Sequence, residues 1–195
     1  AKRATPGRHD VLVTSLSTHT TATVTAVTSE GRALQVLAAE LADGSGRGRG
    51  AGAAQAFGTN RGEVIHTVVA EGTEHLVLVT ANGVAKRLTL DEVRSTRNGK
   101  PLLKLRAGDR VVAAFTAPDG VDLVITASDG QVLRTAIDSI SIQGRGAAGV
   151  AGMKLKGGAA IVGAAGILGD DALITVTDTG GVKATPSTEL ESRGR

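Results

Sequence analysis

Apolar and polar positions fall along this chain in short alternating runs, without the three-to-four-residue periodicity of amphipathic helices. An apolar, β-branched run reaches a glycine, and a second run carrying basic residues follows. Leu76-Val77-Leu78-Val79-Thr80 is the clearest first run and reads as a buried strand. Asn82-Gly83 behind it predicts a two-residue type I′ hairpin turn, which needs φ > 0 at both central residues. The pattern recurs over residues 27–36, 79–88, 126–135 and 176–185. Its marker glycines are Gly31, Gly83, Gly130 and Gly180, separated by 52, 47 and 50 residues. Asp129-Gly130 repeats the strong turn signal, and Glu30-Gly31 and Thr179-Gly180 are weaker forms. Periods of this size belong to blades, solenoids or arrays.

Each predicted hairpin is preceded by a further strand candidate: Val11-Leu12-Val13, residues 64–69, residues 110–115, and Ile161-Val162 with Ile167-Leu168. Each is followed by a polar or glycine-rich arm, at residues 44–52, 94–101, 143–152 and from Ser192 onward. Helix is weakly signalled, with a turn or two at most over residues 33–42 and 89–93. The expectation is an all-β, propeller-like array of about four four-stranded blades, forming one repeat domain over residues 1–195. Its approximate units are 8–55, 56–104, 105–155 and 156–195. The last is incomplete, because the sequence stops at Arg195 where the fourth arm should begin, so the chain reads as a fragment.

Composition narrows the function. The absence of Cys excludes disulfides and thiolate metal sites and is compatible with a cytoplasmic location. No signal peptide is visible, and the weakly apolar stretch 157–169 is too short and glycine-rich to span a membrane. His9, His19, His66 and His75 lack metal-ligand spacing and read as surface or strand residues. The net charge is +3, with 22 basic residues of which 15 are Arg, the side chain suited to bidentate phosphate contacts. Phe57 and Phe115 are the sole aromatics. Proteins that grip single strands stack bases on aromatic platforms. A nucleic-acid target is therefore expected to be a duplex held by its phosphates.

Each return run places at least one cation just past its turn: Arg32, then Lys86 and Arg87, then Arg134, then Lys183. A solvent-facing strand often carries Lys or Arg to blunt a sheet edge, but the fourfold recurrence argues for a charged functional surface. Gly144-Arg145-Gly146-Ala147-Ala148-Gly149 matches the dinucleotide fingerprint G-x-G-x-x-G letter for letter. That fingerprint needs a helix directly after it, and residues 150–158 contain three glycines. An inter-blade loop approached by phosphate, with Arg145 as anchor, fits better. No P-loop, nucleophile elbow or H-E-x-x-H motif is present, and Asp91-Glu92 and Asp170-Asp171 sit beside turns as solvated acids. Nothing assembles a nucleophile, base and orienting acid.

These residues resemble a known family, the C-terminal domain repeats of bacterial type IIA topoisomerase A subunits, from gyrase and topoisomerase IV. The resemblance rests on His9-Asp10-Val11-Leu12-Val13 followed by residues 25–32, on T-x-x-G-x-x-K-R from Thr80 to Arg87, and on G-V-K-A-T-P from Gly181 to Pro186. It covers nearly the whole chain, and its strength is the repeated register. It implies a β-pinwheel whose neighbouring repeats exchange strands and whose basic rim wraps duplex DNA. It also implies partners: an N-terminal catalytic region of the same polypeptide, and a separate ATPase subunit. The catalytic tyrosine belongs to that region, and this chain has no Tyr. The gyrase signature box Q-R-R-G-G-K-G is matched in part by Gln143, Arg145, Gly146 and Gly149, with Gly144, Ala147 and Ala148 departing from it and two cations lost. The match also lies in the third unit, whereas the family carries its box in the first.

The functional expectation is sequence-independent binding and bending of duplex DNA by a fragment that is not itself an enzyme and needs no cofactor. The expected contacts are Arg32, Lys86, Arg87, Arg134 and Lys183 from the return strands, with Arg47, Arg49, Arg97, Lys100 and Arg145 from the arms. The rival reading from another class is a propeller-like protein-interaction scaffold. It leaves the shortage of aromatic hot-spot residues unexplained. Nucleotide binding at residues 144–149 ranks third.

Overall fold

A computed structural model of the chain describes residues 14–41, 50–72 and 74–192. Val11-Leu12-Val13 and most of the first arm, including Arg47 and Arg49, lie outside the described residues. The four echoes fold as four antiparallel hairpins: β1 (Thr23–Thr28) with β2 (Ala33–Leu37), β4 (His75–Thr80) with β5 (Val84–Thr89), β7 (Asp122–Ala127) with β8 (Val132–Ala136), and β11 (Ala172–Val176) with β12 (Val182–Pro186).

Each of the first three hairpins borrows its next strand from the unit that follows. β3 (Ile65–Val69) pairs with β1, β6 (Val111–Ala117) with β4, and β10 (Ile161–Ile167) with β7. The arms close the other side. The second blade runs β6-β4-β5-β9, where β9 is Val150–Ala151 of the third arm. On the first blade, the Ala33 N–H donates to the Lys100 carbonyl at 3.0 Å and the Gly99 N–H to the Ala33 carbonyl at 2.8 Å. On the third, Arg134 bridges to Ser192. A blade is thus knitted from two consecutive units, the strand exchange that the resemblance implied.

The turns sit at the marker glycines but are not type I′. No non-glycine residue has positive φ among the described residues, so Asn82 cannot occupy the first position of such a turn. Instead the glycine alone is left-handed, at φ 69°, 82°, 82° and 85° for Gly31, Gly83, Gly130 and Gly180. Its N–H closes a bond of 2.8–3.0 Å to the carbonyl three residues back. This is the three-residue loop ending in an αL glycine, the next most common hairpin connection. Thr28, Thr80 and Thr177 stabilise it, each accepting at its Oγ1 the N–H of the residue after the glycine, at 3.3, 3.2 and 2.9 Å. A threonine hydroxyl in this place offers the backbone a local partner.

After each return strand comes one helical turn: Ala38–Glu40, α2 (Leu90–Arg94), Ile137–Ser139 and Ser187–Glu189. The helix expected at 33–42 is therefore confined to its last part, because 33–37 is β2. The signal at 89–93 is realised as α2, where Thr89 Oγ1 accepts the Glu92 N–H at 3.2 Å as an N-cap. A further short helix, α1 (Ala53–Phe57), carries no signal in the pattern.

Hydrophobic burial lies between blades. β4 alternates side chains to its two faces, as strand geometry requires. Leu76 and Leu78 join Val27, Leu88, Leu102 and Leu103 in a layer against the first blade. Val77 and Val79 join Leu123, Ile125, Ile137 and Ile140 in a layer against the third. All four β4 residues are fully buried, at about 2–3 kcal/mol each for a leucine. The fourth hairpin differs, with Ile174, Val176 and Val182 each at least 65% exposed.

Candidate nucleic-acid interface

The return-strand cations turn inward, contrary to the expectation of a charged rim. Lys86 is fully buried. Its Nζ donates to the carbonyls of Leu102, Arg145 and Ala147 at 2.7, 2.9 and 2.8 Å. Burial pushes its ammonium down to about 8, against the pull of the Glu92 charge. Arg87 is 4% exposed and pairs with Asp119 and with Asp138. Arg134 pairs with Asp122 at 2.7 Å. Arg32 is bound to Glu63, whose side chain is fully buried, and to Glu30 at 3.3 Å. Burial would raise the Glu63 carboxyl, but hydrogen bonds from Arg32, Thr28 and the Asn60 N–H, with the Arg32 charge, hold it below its ordinary value. As placed, Lys86 and Arg87 cannot reach a phosphate, and Arg32 and Arg134 are already neutralised. Of the strand cations, Lys183 alone is exposed.

Three positions of the return strands do related work. The residue four steps past the marker glycine donates to a carbonyl in the helical turn of the next unit. Gln35 Nε2 reaches the Arg94 carbonyl at 2.9 Å, Arg87 Nη1 the Ile137 carbonyl at 3.4 Å, and Arg134 Nη1 the Ser187 carbonyl at 2.5 Å. These bonds latch each blade to its successor.

The described arm cations stay at the surface. Arg97, Lys100 and Arg145 are exposed and converge with Lys104 on a groove of about 580 Å³, whose other lining residues are Ser95, Thr96, Pro101 and Gly146. None of these lining residues is acidic. Arg145 Nη1 donates to the Ser95 carbonyl at 3.0 Å, and its Nε lies 3.6 Å from Glu92, so the loop is tethered across the groove. Of the box-like residues, Gln143 donates its N–H to the Arg87 carbonyl at 2.9 Å. Gly149 is at φ 82°, with an added Cβ meeting the Ala85 carbonyl oxygen at 2.8 Å, so glycine is required for the loop to lie on β5. β9 follows directly, with no helix, and the dinucleotide reading of residues 144–149 fails on that ground.

A second set of cations lies outside the hairpin pattern and escaped the sequence reasoning. Lys104-Leu105-Arg106-Ala107-Gly108 and Lys154-Leu155-Lys156-Gly157-Gly158 repeat at a spacing of 50 (104 to 154). Leu105 and Leu155 pack on the two inter-blade layers, so the flanking cations point away from them. Both segments enter a tight turn, Asp109 N–H to the Arg106 carbonyl and Ala159 N–H to the Lys156 carbonyl, each at 3.0 Å. Residues 60–63 make the same turn in the preceding unit and carry Arg61. Arg61, Lys104, Arg106, Arg110, Lys154 and Lys156 are all exposed, and none has a carboxylate partner among the described residues. The K-L-[RK]-x-G echo is the signal that finds Lys104, Arg106, Lys154 and Lys156.

Among the described residues there is no cluster of three or more potential metal ligands and no helix long and apolar enough to cross a membrane.

Comparison with known proteins places this architecture. The family model "DNA gyrase C-terminal domain, beta-propeller" matches residues 74–118 and 122–167. The DNA gyrase A subunit of Staphylococcus aureus (strain NCTC 8325 / PS 47) is 31% identical over 190 residues, covering 92% of this chain and 21% of that protein. Its counterpart in Staphylococcus epidermidis (strain ATCC 12228 / FDA PCI 1200) is 28% identical over 177 residues, covering 86% of this chain and 20% of that protein. The chain thus spans about a fifth of the length of these curated relatives. Among solved structures, the C-terminal domain of DNA topoisomerase IV aligns with a TM-score of 0.84 at 28% identity, over 90% of this chain and 57% of that one. The E. coli ParC C-terminal domain aligns at 0.74 and 16% identity, over 96% of this chain and 78% of that one, a likeness of fold. Strand-exchanged blades, the marker-glycine hairpins and these matches together show that the chain belongs to the DNA gyrase A C-terminal domain family, with the β-pinwheel fold.

Proposed function

We propose that this domain binds duplex DNA without sequence preference and bends it along its connectors and basic groove. The observation that carries this reading is the set of exposed, unpaired cations that recurs with the repeat. Arg61, then Lys104, Arg106 and Arg110, then Lys154 and Lys156 precede successive borrowed strands, with the groove cations Arg97, Lys100 and Arg145 beside them. Cations spaced along successive blades gain contacts when the duplex curves to follow them, which offsets the cost of bending. Among the described residues no recognition helix is present to read base edges.

In this reading the fragment carries no chemistry and needs no cofactor. It presents DNA in the cytoplasm to the catalytic region of a type IIA topoisomerase A subunit, which works with an ATPase subunit. The test is binding to a linear duplex of about 150 base pairs, one persistence length, as a function of salt. Roughly six phosphate contacts give a slope of log K against log salt of about −5. Replacing Lys104, Arg106, Lys154 and Lys156 together by Gln is expected to weaken binding at least tenfold on every sequence alike and to flatten the slope by about 3–4. A loss confined to particular sequences would count against phosphate-led binding.

A further inference from the structure

Lys86 is a cation sealed inside a domain whose other work is done by exposed cations. It touches no carboxylate. Its three ammonium protons have three acceptors, all main-chain carbonyls at 2.7–2.9 Å. Those carbonyls belong to two different arms. Leu102 belongs to the segment that lies on the first blade and carries Arg97, Lys100 and Lys104. Arg145 and Ala147 belong to the loop that lies on the second blade. These segments are the two walls of the basic groove.

The same step of the repeat, three residues past the marker glycine, is Leu34 in the first hairpin and Leu133 in the third. A leucine therefore satisfies the blade, and Leu34 is buried there at 3% exposure. Lysine is needed for something other than the sheet. Over Lys86, two chain segments without regular structure meet, each presenting carbonyls. One ammonium supplies what those carbonyls would otherwise lack, and unpaired buried carbonyls are costly.

Resting on the DNA reading above, we propose that Lys86 is the positioning residue of the basic groove: its ammonium fixes the wall bearing Arg145 against the wall bearing Arg97, Lys100 and Lys104. The Arg145 guanidinium then reaches the Ser95 carbonyl across the gap, and four cations are held at a set separation before DNA arrives. Such pre-organisation raises affinity by removing the ordering cost of binding.

The experiment compares the 195-residue chain with Lys86→Leu, Lys86→Met and a groove variant, Arg97→Gln/Lys100→Gln/Lys104→Gln. The probe is a labelled linear duplex of about 150 base pairs, and amide hydrogen exchange is followed in parallel. Lys86→Leu is expected to lower affinity about fivefold with a shallower salt slope. It should also speed exchange over residues 143–149 at least about tenfold, while β4 and β6 stay as protected as before. Wild-type affinity and wild-type loop exchange in Lys86→Leu would overturn the proposal. If neither Lys86→Leu nor Lys86→Met folds, it is overturned too, since Lys86 would then hold the blade and not the loop. A groove variant that binds like wild type would sink the DNA reading of the groove, while loop exchange in Lys86→Leu still reports separately on Lys86.

Discussion

Lys86 and Lys183 stand at the same step of the repeat, three residues past Gly83 and Gly180, yet one is sealed and the other open. Their hairpins share the same turn, the same αL glycine and the same threonine-accepted N–H. The second hairpin, however, has a borrowed strand on one edge, an arm on the other and a blade against each face. The fourth stands as two strands in this structure, with Ile174, Val176 and Val182 facing solvent. Residue type and local geometry are matched, so the difference in burial comes from neighbours in the array. In this fold, whether a strand position is core or surface is decided about 50 residues away.

The sharpest way to break that comparison is to cut one apolar side chain from the first strand of each hairpin. Leu78→Ala in the second blade should cost about 3 kcal/mol in urea unfolding, since it opens a cavity between two sheets. Ile174→Ala in the fourth should cost under about 1 kcal/mol. Equal losses would mean that the fourth hairpin is covered in solution.

The glycines give a finer cut. Both Gly83 and Gly180 have φ above 80°, which costs an alanine about 1–2 kcal/mol. A Cβ on Gly83 would lie 2.4 Å from the Met153 carbonyl oxygen, whereas one on Gly180 meets nothing within 4 Å. Gly83→Ala is therefore expected to lose about 3 kcal/mol and Gly180→Ala about 1 kcal/mol. Similar midpoints for the two variants would show that the arm yields to the new methyl group.

The smallest effect concerns the one strand cation that pairs with a fully buried carboxylate. Glu63 is held below its ordinary range, so the stability it supplies is complete above that range and fades as pH falls through the lowered value. Glu63→Gln should cost about 1–2 kcal/mol near neutrality, with the gap to wild type narrowing on acidification. A gap that stays constant with pH would remove the Arg32–Glu63 charge pair as its cause.

Much of the fold is legible in the sequence because its signals are local. The marker glycines, the apolar first runs and the preceding strand candidates all announce themselves within ten residues. The type of turn is not legible in the same way, because Asn82-Gly83 is a strong dipeptide signal for the shorter loop, while the hydroxyl that supports the longer one sits at Thr80. The strand cations mislead for a different reason. Arg87 and Arg134 are charged residues in strands, which commonly face solvent, but the face they occupy is where the next unit's arm and helical turn arrive. Arg97, Lys100 and Arg145 are legible because glycine-rich arms cannot bury them. Lys104, Arg106, Lys154 and Lys156 form an echo of the same period, but outside the hairpins that define it.

The exchange of strands between units also fixes how such an array can grow or shrink. Severing the chain between β5 and β6 would strip the second blade of an edge and leave the third unit's first strand without a host. Excising one full period, from one marker glycine to the next, joins like to like: the remaining hairpin meets a strand of the kind it already pairs with. Recombination between repeats in the gene can therefore change the number of blades in whole steps, while most other deletions would leave two blades damaged at once.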